Sequence, residues 1–321
     1  MLTRREFGAG LAAAAAALSI PKARADNWPS KSVRLIVPYA PGGTTDRLAR
    51  DLSEFLRREL RQTILVENRP GASTNIGSEM VARAEPDGYT FLIGNDLLAT
   101  NPETGPQPGF DPHRDLAPVS LLTRVPCLIA AGPKFAGKDI VEMIRMARAA
   151  PNKYTISSAA LDLQVGHLNS GSDISLVHVP YKGGAQAAAD TVGGQIDMVI
   201  ANVPVLAGLV RSGRLRALAV SSEQRVEAFP DVPTLRESGL SNAAFANWYA
   251  VFAPARTPAP VIQRMAELTR RYVEEPEVRK RMANEGSQLE YSTPDQLAQL
   301  LKQDAAQAQA FVKRNPDQFK R

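Results

Sequence analysis

Pro41-Gly42-Gly43-Thr44-Thr45-Asp46 is the stretch of this sequence whose residue types point most directly to chemistry. An apolar run of strand length, Val33 to Val37, leads through Tyr39 to a Pro/Gly turn. The chain restarts with Leu48, Leu52, Leu56 and Leu60 at intervals of four, one face of a helix. Thr44 and Thr45 stand at N-cap positions and Asp46 in the first turn. A strand that ends in glycine and opens a helix gathers free backbone N–H groups at the positive end of the helix dipole, where carboxylates and other anions are held. The same pattern also fits a plain strand–turn–helix unit. Asp46 is open to two roles: accepting from a ligand amino or hydroxyl group, or complementing the dipole of its own helix.

Ser157 or Ser158 with His167 can be drawn as a nucleophile and its base. The sequence holds no Gly-x-Ser-x-Gly elbow, no His-Glu-x-x-His and no Gly-x-Gly-x-x-Gly, and the expectation is a protein that is not an enzyme. His113, His167 and His178 fit no metal-binding spacing, and neither a metal nor a cofactor is expected. Cys127, the one cysteine, stands among Pro126, Leu128 and Ile129 and reads as a buried small residue. Lys182 fits pairing with an anion or plain solvation, Arg69 an anion-attracting role or support of its own loop, and Trp248 the core.

Elements that position these residues follow from periodicity and punctuation. The spacing predicts strands at Ile64–Glu67, Tyr89–Gly94, Tyr154–Ser157, Leu176–Val179, Asp197–Ile200 and Arg216–Ser221, with helices between them. Asn101 to Pro112 reads as a Pro/Gly-rich surface loop. The strand–loop–helix order implies mostly parallel sheets, in which ligands sit beyond the carboxyl ends of the strands. Two long apolar runs, Val119–Ala131 and Phe245–Ala253, are expected to carry the chain out to a second domain and back.

Thr3-Arg4-Arg5-Glu6-Phe7, the apolar Gly8–Ile20 and Ala23-Arg24-Ala25 form a leader of twin-arginine type, expected to be cleaved after Ala25; a Sec signal is the other reading. The 321 residues are 44% hydrophobic and 22% charged, as in a soluble protein that splits into two domains. The formal charge is +5, but the first 25 residues hold Arg4, Arg5, Lys22 and Arg24 against Glu6, which leaves about +2 on the rest. That balance, with no basic stripe interleaved with aromatics, excludes a nucleic-acid partner.

Val-Pro-Tyr-Ala-Pro-Gly-Gly-Thr-Thr-Asp (37–46), Val-Glu-Asn-Arg-Pro-Gly-Ala (66–72) with Asn75-Ile76-Gly77, Pro86-Asp87-Gly88-Tyr89 and His178-Val179-Pro180-Tyr181-Lys182-Gly183 together resemble the Bug (TctC-like) family. Gly194-Gln195-Ile196-Asp197, Leu215 to Val220, Asp231-Val232-Pro233-Thr234 and Trp248-Tyr249 continue the resemblance, which spans nearly the whole chain after the leader. These are extracytoplasmic solute-binding proteins of tripartite tricarboxylate transporters. The resemblance implies an α/β, two-lobed periplasmic-binding-protein fold of type II-like form, with two mostly parallel sheets flanked by helices and a ligand cleft between the lobes. Residues 26–124 and 250–321 would form lobe 1 and residues 125–249 lobe 2. It implies a periplasmic monomer that takes a small carboxylate (a dicarboxylate, an amino acid or an aromatic or pyridine acid) to membrane transporter subunits. Presentation of the ligand to a membrane sensor kinase is an alternative, and an exported hydrolase is another. Carried over by motif, the ligand-binding positions are Tyr39, Pro41, Gly42, Gly43, Thr44, Asp46 and Asn95 on the first lobe. On the second they are Ser157, Ser158, Tyr181 and Asn202, with Lys182 beside them. The sequence departs from the family pattern at Ala160, where a glycine is expected, in a shorter segment after His167, and at Ala201, where an aspartate often stands.

Overall fold

The computed structural model describes residues 28–159, 161–181, 183–240 and 245–316. The leader, Ala160 and Lys182 lie outside the described residues. In the first half of the fold, β1 (Val33–Val37) lies between β2 (Ile64–Asn68) and β3 (Thr90–Asn95) and runs parallel to both. Helices α1 (Thr44–Leu60) and α2 (Asn75–Ala82) connect them. Period-two alternation decides which face each side chain covers. Leu35, Val37, Phe91 and Ile93 face α1, where Leu48, Leu52 and Leu56 are buried, and Ile36 and Leu92 face the opposite layer.

Two long strands join the halves. β4 (Leu116–Ala131) runs antiparallel to β9 (Ala246–Pro254) from Leu116↔Pro254 to Pro126↔Ala246. It continues without a break through Pro126 into the second half. There Cys127–Ala131 pairs with β7 (Met198–Asn202) on one side and with β8 (Arg216–Val220) on the other. Beyond β7 lie β5 (Thr155–Ser158) and β6 (Val177–Pro180), both parallel to it in sense. The ten strands run in the order β2-β1-β3-β9-β4-β7-β5-β6, with β8 and the short β10 (Gln288–Leu289) also on β4. Each half is thus mixed: parallel pairs on its outer side, antiparallel pairs where the chain crosses. Helices cover both faces of each half, and four separate apolar clusters mark these layers.

The first part of Asn101 to Pro112, expected from sequence to be a surface loop, instead belongs to helix α3 (Leu97–Thr104), with Pro102 inside it. Leu98 and Ala99 are buried there in a cluster with Leu297 and Leu301. That packing outweighs the one helical hydrogen bond the proline cannot make. A four-residue helix, α4 (Pro112–Asp115), follows. The second half carries α5 (Ile140–Ala149), α6 (Asp162–Ser172), α7 (Gly184–Val192) and α8 (Val203–Arg211). After β9 come α9 (Ala259–Glu274), α10 (Pro276–Asn284) and α11 (Pro294–Arg314). Among the described residues no helix is long and apolar enough to cross a membrane.

Candidate functional site

The carboxyl ends of β1, β3, β5 and β7 converge on one cleft of about 590 Å³. Such a convergence is where open α/β sheets place ligands. From the first half it is lined by the loop Tyr39–Gly43, by Thr44, Thr45 and Arg47 of α1, and by Asn95 and Asp96 after β3. Ala159, Leu161, Gly183, Gly184 and Ala185 face them from the second half, with Ala201, Asn202, Pro204 and Val205. Asn247 and Tyr249 of β9 complete the wall.

Five helices among the described residues begin at this cleft with no side chain capping them. α1 starts behind Gly43, α3 behind Asp96, α6 behind Leu161, α7 behind Gly183 and α8 behind Asn202, and none of these N-cap residues makes a side-chain cap bond. Away from the cleft, Asp139 caps α5 and Thr293 caps α11 in a full capping box. The first-turn N–H groups at the cleft therefore keep donors that no carbonyl of their own helix satisfies. The expected cap at Thr44 or Thr45 is corrected: Gly43, with the extended φ of −78° and ψ of 178° usual for an N-cap, holds that place and Thr44 is already helical.

A chain of amides and phenols runs along the base of the cleft. Asn95 Nδ2 donates to Tyr39 Oη and to Asp96 Oδ1, each at 3.0 Å. Gln164 Nε2, on α6, donates to Asp96 Oδ2 at 3.5 Å and to Asn247 Oδ1 at 3.4 Å. Asn247 Nδ2 donates to Asn202 Oδ1 at 2.7 Å, and Asn202 Nδ2 to Tyr249 Oη at 2.7 Å. The chain ties the two halves together, since α6 and β7 belong to the second and β3 to the first. Burial lifts the Asp96 carboxyl to about 7, with the nearby Asp304 charge adding to it. Burial, together with the Asp96 charge, also holds the Tyr249 phenol well above its ordinary value.

Of the positions expected to bind ligand, Tyr39, Pro41, Gly42, Gly43, Thr44, Asn95 and Asn202 line this cleft together. Four others do not. Asp46 turns behind the loop: its Oδ2 accepts from Gly42 N–H at 2.9 Å and Arg50 Nε at 3.0 Å, and its Oδ1 from Asn68 Nδ2 at 2.9 Å. Burial pushes Asp46 up, but the bonds from Arg50, Gly42 and Asn68 together outweigh it and hold its carboxyl below the usual range. Ser157 is fully buried within the sheet, its Oγ 3.2 Å from Thr191 Oγ1 and donating to Met198 O at 3.2 Å. Tyr181 is half-buried and spends its hydroxyl on Asp190 Oδ2 at 2.6 Å.

Ser158 Oγ shares a 2.7 Å hydrogen bond with His178 Nε2, and His178 Nδ1 lies 3.5 Å from Asp162 Oδ1. The partner is therefore His178, not His167, whose ring lies against that of Phe311 with centroids 3.8 Å apart. A hydroxyl, an imidazole and a carboxylate in line have the makings of acyl-transfer chemistry. Here the hydroxyl has no exposed surface and stands outside the cleft lining, so no substrate carbonyl reaches it. Trp248 is core, as read from sequence: it is 1% exposed and its Nε1 donates to Asp304 Oδ2 at 2.6 Å. Arg69, just after β2, pairs with Glu67 of that strand at 3.0 Å. Cys127 is buried, which raises its thiol far above the reactive range. No cluster able to hold a metal ion occurs among the described residues.

Fold and cleft together define a two-lobed α/β protein of the periplasmic-binding-protein type, with helix N-termini at its cleft. Residues 48–316 match the model of the tripartite tricarboxylate transporter family receptor, TctC, and the chain belongs to that family. It is 33% identical over 303 residues to Protein BugT of Bordetella pertussis, covering 92% of each chain. Among solved structures it is similar to an R. palustris protein with adipate, at a TM-score of 0.85 and 29% identity, covering 89% of this chain and 97% of that one. It is also similar to MatC of Rhodopseudomonas palustris with bound malate, at a TM-score of 0.81 and 28% identity, covering 89% of this chain and 100% of that one.

Proposed function

We propose that this protein is a periplasmic receptor that captures a small carboxylate and delivers it to the membrane subunits of a tripartite tricarboxylate-type transporter. The observation that carries the reading is the set of uncapped helix starts, from both halves, lining one cleft. Backbone N–H groups grip a carboxylate without a fixed counter-charge, which suits a class of acids rather than one. The adipate and malate held by the two relatives support the same ligand class. Residues 26–124 with 250–321 would form one closing body and residues 125–249 the other, and closure makes the surface that the transporter reads. The leader would be removed near Ala25, which the mass of the exported protein checks.

A thermal-unfolding panel of mono- and dicarboxylates, amino acids and aromatic acids tests the reading. A true ligand at 100 times its Kd stabilises by about 2.7 kcal/mol and moves the midpoint by several degrees. An unchanged midpoint across the panel defeats it.

Arg47 is the one cation among the described lining residues and stands exposed at the rim. Arg47→Gln is expected to weaken binding of an anionic ligand by about threefold to tenfold at low salt, with the gap narrowing at high salt. Calorimetry at two ionic strengths reads this, and a salt-independent loss rules out the steering role.

A further inference from the structure

Asp96 is the only carboxylate among the described residues that line the cleft, and it is 6% exposed. Among the described residues its two oxygens meet only neutral N–H groups: Asn95 at 3.0 Å, Gln164 at the long distance of 3.5 Å and its own backbone N–H. No salt bridge reaches it among the described residues, and Asp304 adds a second negative charge nearby. A buried carboxylate without a cation is costly, and proteins rarely leave one so. Beside it Asn95 Oδ1, on a residue 5% exposed, has no hydrogen-bond partner among the described residues. Acceptors thus gather at the base of a cleft whose rim offers donors. The two ends ask for opposite charges.

We propose that Asp96 is the specificity-determining residue of this cleft, and that it selects carboxylates carrying an ammonium group over the matching acids without one. The proposal rests on the carboxylate-receptor reading above and narrows it to amino acids and similar zwitterions. The ligand carboxylate takes the open helix starts and the ammonium takes the place of the missing cation. Several groups bear on Asp96. They are Tyr39 from the β1 loop, Cys127 from β4, Gln164 from α6, Tyr249 from β9 and Asp304 from α11. Arg47 stands at the rim, and Arg124 acts on Asp304. None of these supplies a cation in contact with Asp96, and the two phenols and the thiol stay neutral through the physiological range. In the empty cleft Asp96 gives up its proton near neutrality, at about 7. An ammonium binds the ionised form, so affinity for an amino acid rises with pH through that range and levels above it. An acid without nitrogen is repelled by the ionised form, so its affinity falls over the same range.

Calorimetry on matched pairs tests this: aspartate against succinate, glutamate against glutarate, alanine against propionate, phenylalanine against 3-phenylpropionate. At pH 8 the aminated member of at least one pair is expected to bind about tenfold or more tighter than its partner. D96N is expected to cut that preference to within about threefold. Should D96N fail to fold, the wild type still decides, because the two members of the pair must show opposite pH slopes between pH 6 and pH 8. A wild type that binds the acid without nitrogen as tightly at pH 8, or a folded D96N that keeps the preference, overturns the proposal while leaving the receptor reading intact. If no acid of either kind binds, the receptor reading itself falls and the proposal with it.

Discussion

Asp46→Ala is expected to destabilise the protein by about 2–3 kcal/mol and to weaken ligand binding about tenfold or more, although Asp46 does not line the cleft. Its carboxylate is the common acceptor for three donors from three places: Gly42 N–H in the turn, Arg50 on α1 and Asn68 at the end of β2. Asn68 Nδ2 also donates to Tyr39 O at 3.0 Å, so the carboxylate fixes the loop Tyr39–Gly43 from two sides. Bonds to an ionised acceptor contribute more than neutral ones, and here they set the aim of the N–H groups that the ligand meets. Asp46→Asn is expected to cost nearly as much. All three partners are donors, so whichever way the amide turns, its NH2 faces another donor. The folded carboxyl titrates below its unfolded value, so its stabilisation is complete above about pH 4 and is lost as pH falls through the folded value. The difference in unfolding free energy between wild type and Asp46→Ala should therefore shrink below pH 4. Urea titrations at pH 7 and pH 3 measure it, and a gap equally wide at both values would show that the carboxylate does not act through its charge.

Sequence reasoning reached the strands, α1 and the loops of the cleft because local pattern determines them. Val33–Val37 and Thr90–Asn95 can only be buried strands, and once strand and helix alternate, the ligand end of the sheet follows from handedness alone. What it missed depends on where a side chain turns after its strand ends. Asp46 and Asp96 are both acids at the start of a helix. The first faces inward because Asn68, 22 residues on, holds it there; the second meets Gln164, 68 residues on. No local signal separates them. Ser157 and Ser158 are carried over to the cleft by motif, but β5 includes both, and the lining begins at Ala159. Asn247 and Tyr249 were within reach of the sequence. With Trp248 packed in the core, period two puts its neighbours on the other face of β9, and that face is the cleft wall. Gly183 of the motif 178–183 lines the wall at the start of α7, whereas Tyr181, carried over from the same motif, does not. Its hydroxyl bonds Asp190 instead.

Gly77→Ala should lower stability by about 3 kcal/mol and the unfolding midpoint by several degrees, against the direction that helix propensity gives. Both Gly77, in α2, and Gly208, in α8, sit inside helices, where alanine is favoured over glycine by about 1 kcal/mol. A Cβ on Gly208 meets nothing within 4 Å, so Gly208→Ala should stabilise by up to that amount. A Cβ on Gly77 would stand 2.7 Å from Arg69 O and 2.9 Å from Pro38 Cα and Cβ. Two of those neighbours are backbone atoms, and Arg69 N–H is itself bonded to Val37 O at 2.7 Å, so neither segment can give way alone. Either α2 lifts off the ends of β1 and β2, or Pro38 moves and takes Tyr39 and the cleft loop with it. The second course also weakens ligand binding, and it links a motif glycine outside the cleft to the geometry within it. Paired melts of the two alanine variants decide the matter: if both move the midpoint upward, propensity governs Gly77 and the close approach of α2 to the cleft loop carries no load.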